Sequence, residues 1–227
     1  MVIRQRAVHT EDKQERHLAI LDAAERLLAR APERVANVAE VADEAGLAKG
    51  TVYLYFPSKD ELLLAVHERR VDEFFRALTA LLASREKVSL AAIMALTHAH
   101  MIERDTFLPL ATRCFGLVQT DVPRDAALAF KARMFERLAA AGEGLERHFP
   151  ELTRGGGIAL LRHSYALIVG LWQMSAHADE ADGVGSACAV DRMDYPHELD
   201  RALRALWEGT IGKRLASPAV ATSTEAA

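Results

Sequence analysis

Residues 38 to 66, VAEVADEAGLAKGTVYLYFPSKDELLLAV, decide how this chain folds. Asn37 and Glu40 have the three-residue spacing of a capping box, which predicts that a helix begins there. Gly46 ends that helix, because glycine readily adopts the positive φ needed where the chain reverses. A second short helix follows and stops at Pro57. Two short helices joined by a tight turn are typical of a helix-turn-helix, in which the second helix enters the major groove of DNA.

The second of these helices carries tyrosines where a buried helix would carry leucine. Tyr53 and Tyr55 flank Leu54, and a tyrosine can donate its hydroxyl to a phosphate while its ring packs against a sugar. Lys49 and Thr51 precede them on the same helix. Small helical domains reuse this geometry, and tyrosines also cover hydrophobic cores. The residues by themselves therefore leave DNA binding and core packing open.

The same stretch resembles the DNA-binding domain of TetR-family transcriptional regulators. The shared pattern is AG-x-x-KGT-x-Y-x-YF-x-SK-x-x-LL, and the resemblance covers residues 14 to 66. The resemblance implies that six residues contact the bases, the backbone or a phosphate of DNA. These residues are Lys49, Thr51, Tyr53, Tyr55, Ser58 and Lys59. Lys59 is implied to bind a phosphate. The positive N-terminal end of the fourth helix would also favour a phosphate at this position.

Three residues depart from the family pattern. Ala48 replaces the serine usual before the recognition helix, and Ala36 replaces a common threonine, so each loses a capping or phosphate-binding hydroxyl. Leu54 can touch a thymine methyl group but cannot hydrogen-bond a base. The operator sequence therefore cannot be deduced.

The N-terminus is basic and raises a separate possibility. One interpretation is that it forms an arm in the minor groove of DNA, as in other helix-turn-helix proteins. The other is that it is a solvated, disordered segment. The basic residues concerned are Arg4, Arg6, Lys13 and Arg16.

Apolar residues recur at helical spacing along nearly the whole chain, and strand-type alternation is absent. The sequence therefore predicts an all-α fold, with an N-terminal three-helix helix-turn-helix domain in residues 1–57. A larger helical domain for ligand binding and dimerisation is predicted in residues 58–215, and a disordered tail in 216–227. The expected helices lie near residues 18–31, 37–45, 48–56 and 58–84, and then near Leu90–Arg104, Thr106–Gln119, Pro123–His148, Gly157–His177 and His197–Leu215.

Composition excludes several other classes of protein. The chain has 227 residues, half of them hydrophobic, and a formal net charge of -4, so any DNA contact must come from a local patch. Cys114 and Cys188 lack CxxC spacing, the polar start lacks a signal-peptide core, and no run is apolar enough to span a membrane. We expect a cytoplasmic protein without a membrane segment.

No spacing predicts a metal, cofactor or catalytic site, since His98 and His100 point apart on a helix.

Soft and polar residues scattered on otherwise apolar helices suggest a binding pocket in the larger domain. Methionine and aromatic side chains suit an adaptable apolar pocket for a neutral or weakly acidic ligand, although core packing is the competing interpretation for each one. The candidate ligand-binding residues are Met94, His98, Met101, Cys114, Phe115, Phe130, Met134, His163 and Met174.

Two late helices are apolar on more than one side. A helix with two apolar faces needs a second surface to pack on, and the resemblance implies that this surface is a second copy of the chain. The candidate dimer-interface residues are Ile158, Leu161, Tyr165, Ile168, Trp172, Leu199, Leu203 and Leu206.

Together with the family resemblance, these patterns favour a homodimeric regulator, a repressor that a small, largely apolar effector releases from a palindromic operator in double-stranded DNA. One alternative is a similar DNA-binding protein that acts through protein partners without a small ligand. A helical enzyme using His98 or His163 is the other, and the absence of catalytic spacing argues against it.

Overall fold

The computed structural model describes residues 2–32, 34–120, 122–180 and 194–212, with side chains from Asp12 onward except at 115, 118–120 and 176–180. All regular structure in these residues is helical, which confirms the predicted all-α fold. The α-helices are α1 (Val2–Arg30), α2 (Val38–Ala45), α3 (Lys49–Tyr55), α4 (Lys59–Leu82), α5 (Leu90–Thr97), α6 (Phe107–Thr120), α7 (Arg124–His148), α8 (Gly156–Glu180) and α9 (Tyr195–Ile211). A π-helical segment, His98–Ile102, follows α5.

The first helix is longer than predicted. It begins at Val2, because residues 2 to 31 contain no glycine or proline to interrupt a helix. The backbone of the predicted N-terminal arm is therefore helical. The side chains of Arg4 and Arg6 lie outside the described residues, as does the predicted tail 216–227, whereas Lys13 and Arg16 are exposed.

The helix-turn-helix forms as the capping residues predict. The Asn37 side chain accepts hydrogen bonds from the N–H groups of Ala39 and Glu40, and the Glu40 carboxylate accepts one from the Asn37 N–H at 2.8 Å. Gly46 ends α2 with φ of 67°, in the left-handed region that favours glycine. Ala48 precedes α3 without any side-chain cap, as its lack of a hydroxyl implies.

Helix α4 belongs to two hydrophobic cores. Leu62, Leu64 and Val66 pack with α1, α2 and α3 in the core of the N-terminal domain. From Val71 onward the buried side chains of α4 pack instead with α5 to α9. The change from one core to the other takes place within about one and a half turns, between Val66 and Val71. A movement of α4 therefore affects both cores.

Helices α7 and α8 cross at a pair of glycines. A Cβ atom on Gly157 would lie 2.2 Å from the carbonyl oxygen of Gly142, closer than any non-bonded contact permits. Gly157 is therefore required by close helix packing, and this crossing fixes one side of the larger domain.

Candidate DNA-binding surface and apolar cavity

The inner face of α3 is anchored in the N-terminal core. Val52 is 0% exposed and Phe56, directly after α3, is 5% exposed. The opposite face is free: Leu54 is 83% exposed and Tyr53 is 42% exposed. The Lys49 ammonium lies 5.9 Å from the centre of the Tyr53 ring, a cation–π contact on this outer face. The short helix thus presents cationic and aromatic groups outward.

The remaining predicted DNA contacts lie around the end of α3. Thr51 and Tyr55 are half-buried, and the Tyr55 ring lies 6.4 Å from His17 of α1. Ser58 caps α4, because its hydroxyl oxygen accepts a hydrogen bond from the Glu61 N–H at 3.1 Å. Lys59, the first residue of α4, is exposed. These residues and α3 occupy one continuous region of the N-terminal domain.

A cavity of about 590 Å³ lies in the larger domain. Its walls come from α4, α5, the π-helical segment, α6, α7, α8 and α9, and most lining side chains are aliphatic or aromatic. The α4 residues that line it are His67, Val71, Phe74 and Phe75.

The structure brings five of the predicted ligand-binding residues together at this cavity: Met94, Met101, Cys114, Phe130 and Met134. The side chain of Phe115 lies outside the described residues, although its backbone is part of α6. Cys114 and Phe130 also belong to the hydrophobic core of the N-terminal domain. The wall of the cavity is therefore continuous with the packing beneath the helix-turn-helix.

Three other predicted ligand-binding residues, His98, His163 and Met174, do not line this cavity. His98 is the first residue of the π-helical segment, and its Nε2 lies 3.9 Å from Asp200 Oδ1 of α9. His163 and Met174 project from the outer side of α8, and Met174 is 67% exposed.

His67 is a cavity residue that the sequence reasoning missed. It is 4% exposed, and its Nδ1 atom is buried without a hydrogen-bond partner in the described part of the chain. Burial lowers the pKa of His67 to about 4, because an imidazolium ion would lose its hydration. The apolar spacing of residues 67, 71, 74 and 78 was the available signal, since it places this histidine on the buried stripe of α4.

The buried thiol of Cys114 has low reactivity. Burial raises its pKa to about 12, so the reactive thiolate is scarce at neutral pH, and its Sγ atom lies 3.7 Å from the Leu63 carbonyl oxygen. Cys114 is therefore a packing residue of the cavity wall.

Two family models match this architecture. Residues 20–66 match the model for bacterial regulatory proteins of the tetR family, and residues 68–214 match the model for the C-terminal domain of tetracyclin repressor-like proteins. The protein belongs to the TetR family. Members of the TetR family are DNA-binding transcriptional regulators with a helix-turn-helix, and not enzymes. The boundary between the two models falls beside His67, where α4 passes from one core to the other.

Two curated TetR-family relatives match this chain over short stretches. The HTH-type transcriptional regulator EthR of Mycobacterium tuberculosis is 42% identical over 67 residues, which cover 30% of this chain and 31% of EthR. The fatty acid metabolism regulator protein of Bacillus subtilis is 31% identical over 64 residues, covering 28% of this chain and 33% of that protein. The matched segment thus spans about a third of the length of these relatives.

A solved TetR-family structure from Mesorhizobium loti shares the fold of both domains. It superposes with a TM-score of 0.57 at 19% sequence identity, covering 87% of this chain and 96% of the other. At that identity the likeness concerns the fold alone. None of the described helices is long and apolar enough to cross a membrane, and the described residues contain no His, Cys, Asp and Glu cluster able to hold a metal ion.

In this TetR-family protein, one turn of α4 carries ion pairs to two other helices. Glu68 accepts two hydrogen bonds of 2.6 Å from Arg133 of α7 and pairs with Arg137 at 3.0 Å. Burial alone would raise the pKa of Glu68, but the two guanidinium groups hold it below its usual value. The next residue, Arg69, pairs with Glu25 of α1 at 2.7 Å. The turn that faces the cavity therefore also holds α7 and α1.

Four of the eight predicted dimer residues are buried inside the subunit, and the other four are half-buried. Leu161, Ile168, Leu199 and Leu203 are at most 7% exposed in the subunit's own core, and Tyr165, Trp172 and Leu206 pack against that core. Ile158 is half-buried against the glycine crossing of α7 and α8. Two apolar faces on α8 were visible in the sequence, but which one turned inward was not. The outer face carries His163 and Met174.

Proposed function

We propose that this protein is a homodimeric repressor that leaves a palindromic operator when a small molecule enters the cavity. The observation that carries the proposal is the cavity of about 590 Å³, because α4 forms one of its walls and only three residues separate α4 from the recognition helix α3. Pockets for drug-sized ligands measure roughly 300 to 1,000 Å³ and are mostly apolar. The cavity has the volume and the lining for one such effector.

DNA binding is assigned to α3 and the start of α4. Tyr53 and Lys49 are exposed on α3, and Lys59 is exposed at the N-terminus of α4, where the helix dipole favours a phosphate. A two-fold symmetric dimer would set two copies of α3 about 34 Å apart, one turn of DNA. Rotation or separation of the two copies then weakens operator binding.

Two sets of contacts support coupling between the cavity and the DNA-binding surface. Cys114 and Phe130 line the cavity and pack in the core of the N-terminal domain. Arg69 links α4 to α1 through Glu25 and Asp22, at 2.7 and 2.6 Å. A ligand can shift an equilibrium only by binding its two states with different affinities. An effector that displaces the α4 wall would meet this requirement, because the same displacement disturbs both sets of contacts.

The alternative is a regulator of the same fold that responds to protein partners. Such a protein has no need of an apolar cavity of the size that drug-sized ligands occupy. The cavity therefore favours the ligand-responsive version.

Filling the cavity tests this proposal. Met94→Trp puts a bulky side chain into the cavity, whereas Ala95→Trp puts the same side chain on the exposed face of α5 as a matched control. Thermal-shift screening with apolar compounds identifies effectors for the wild-type protein, and fluorescence anisotropy on a selected operator measures release. We expect Met94→Trp to bind operator without being released, and Ala95→Trp to behave as wild type.

A second filling variant, Met134→Trp, keeps the test decisive if Met94→Trp does not fold. Equal release of the wild-type protein and both folded cavity variants would contradict the proposal. So would a screen in which no compound stabilises the wild-type protein.

A further inference from the structure

One polar group in the cavity is left unused by the protein. His67 is 4% exposed, it lines the cavity, and its Nδ1 atom has no hydrogen-bond partner among the residues that the structure describes. Buried polar atoms in native proteins are nearly always hydrogen-bonded, so an unpaired one calls for a specific explanation. A ligand that supplies the missing partner is such an explanation.

Other polar groups of the lining are already hydrogen-bonded within the protein. The Thr97 hydroxyl donates to the Ile93 carbonyl at 2.9 Å. The Ser164 hydroxyl donates to the Leu160 carbonyl at 2.9 Å and accepts from the Trp207 indole N–H, also at 2.9 Å. These three side chains hold the walls together. His67 differs from them because its buried Nδ1 atom has no such bond within the described residues.

The charged residues of the lining restrict what the cavity can bind. Lys131 and Arg162 are both cationic, and no aspartate or glutamate belongs to the described lining. An ammonium group on a ligand would find no carboxylate to offset the loss of its hydration. Burial also keeps the His67 imidazole neutral, so its ring offers one N–H donor and one nitrogen acceptor.

We propose that His67 is the hydrogen-bonding anchor of the effector, and that the effector is an apolar molecule with a hydroxyl or carbonyl oxygen and no positive charge. The inference rests on the proposed function, since it specifies the ligand of the same cavity. A hydroxyl group matches the neutral imidazole well, because each can donate or accept a hydrogen bond. The hydrocarbon remainder of the effector packs against side chains such as Phe74, Phe75 and Met101.

The position of His67 gives this contact a route to the DNA-binding domain. His67 lies between Val66, in the N-terminal core, and Val71, in the core of the larger domain. The next two residues, Glu68 and Arg69, hold α7 and α1. A hydrogen bond to His67 therefore acts at the turn of α4 where the two domains join.

Three matched probes test the inference: biphenyl, 4-hydroxybiphenyl and 4-(aminomethyl)biphenyl. Quenching of tryptophan fluorescence reports binding, because Trp207 lines the cavity. For the wild-type protein we expect 4-hydroxybiphenyl to bind about tenfold more tightly than biphenyl, the effect of one hydrogen bond to a group otherwise left unpaired, and the amine to bind most weakly. His67→Leu should abolish the preference for the hydroxyl, and His67→Gln, whose amide donates and accepts, should restore part of it.

Tyr165→Phe is the comparison variant, because Tyr165 is the cavity-lining residue with a phenolic hydroxyl. Loss of the preference in Tyr165→Phe, but not in His67→Leu, would overturn the assignment to His67. Nuclear magnetic resonance of the wild-type histidine nitrogens gives a test without mutation: the His67 signals should respond to 4-hydroxybiphenyl more than to biphenyl. Equal affinity for biphenyl and 4-hydroxybiphenyl would refute the anchor while leaving the cavity a ligand site. Failure of all three probes to bind would count against the proposed function itself.

Discussion

Arg69 of α4 and Glu25 of α1 form a bidentate ion pair, with 2.8 Å between Nε and Oε1 and 2.7 Å between Nη2 and Oε2. Their side chains are only 19% and 13% exposed, so solvent screens this pair less than an ordinary surface pair. The pair joins the helix that lines the cavity to the first helix of the DNA-binding domain.

A double-mutant cycle with Arg69→Gln and Glu25→Gln measures the strength of this link. We expect a coupling free energy of about 1 to 3 kcal/mol from urea unfolding, as for neighbouring groups in one network. The Arg201–Glu198 pair of α9 is the control, since its side chains are 67% and 40% exposed. Exposed pairs contribute about 1 kcal/mol at most. Equal coupling in both cycles would show that the link between α4 and α1 has no special strength.

Lys49 and Lys59 are expected to neutralise about one phosphate each. Replacing either with alanine should weaken binding to every DNA sequence and reduce the slope of log K against log salt by about one unit. Lys87→Ala is the control, because Lys87 is exposed on the loop between α4 and α5. Anisotropy titrations over a range of salt concentrations give the slopes. If all three variants keep the wild-type slope, the DNA-binding surface lies elsewhere.

Tyr53→Phe removes a hydroxyl from the exposed face of α3 and keeps the ring that lies near Lys49. We expect unchanged circular dichroism and melting temperature, and operator binding weaker by about 1 to 2 kcal/mol, the value of a hydrogen bond to a charged oxygen. Tyr165→Phe removes a hydroxyl in the cavity and should leave operator affinity in the absence of ligand unchanged. Wild-type affinity in Tyr53→Phe would remove this tyrosine from the DNA contacts.

The dimer contact is proposed to involve the outer face of α8. Met174→Glu should yield a folded monomer, because Met174 is 67% exposed in the subunit and a carboxylate there would be buried only in the dimer. Ile168→Glu should unfold the subunit instead, since Ile168 is 1% exposed in its core. Analytical ultracentrifugation and circular dichroism distinguish the two results. A dimer that survives Met174→Glu would place the interface on another surface.

The neutral, buried His67 should make stability depend on pH. Its pKa is about 4 in the folded protein and 6.5 in the unfolded chain, so between these values only the unfolded chain takes up the proton. This favours unfolding as pH falls below 6.5, by about 2 kcal/mol at pH 5. The wild-type protein should therefore lose about 2 kcal/mol more than His67→Leu between pH 7.5 and pH 5, as measured by urea unfolding. Equal losses of stability in the wild-type protein and His67→Leu would mean that His67 is protonated in the folded state.

Local chemistry explains why the DNA-binding domain was predictable. Asn37 and Glu40 cap a helix with atoms from residues only three positions apart, and Gly46 supplies the left-handed turn by itself. Capping and turn geometry depend on neighbours along the chain. The helix-turn-helix and the helical class therefore follow from the sequence.

The cavity and the subunit interior depended on contacts between distant residues. Methionine and aromatic content indicated an adaptable pocket, and five of the predicted residues do surround one. His98 lies outside it, with its Nε2 3.9 Å from Asp200 of α9, and no pattern within a few residues indicated that contact. His67 was missed because a histidine does not count as apolar in a periodic pattern, although it is buried on α4 together with Phe74 and Leu78.

The sequence by itself determined the all-helical class, the helix-turn-helix and the residues that its exposed helix presents, since these depend on capping, turns and periodicity within a few residues. Only the tertiary structure decided which apolar face of α8 turns inward and which side chains enclose the cavity. It alone brought His67 to the turn where the two cores meet, beside the ion pairs to α1 and α7. Periodicity identifies an apolar face, but the partner of that face is set by packing among helices far apart in the chain.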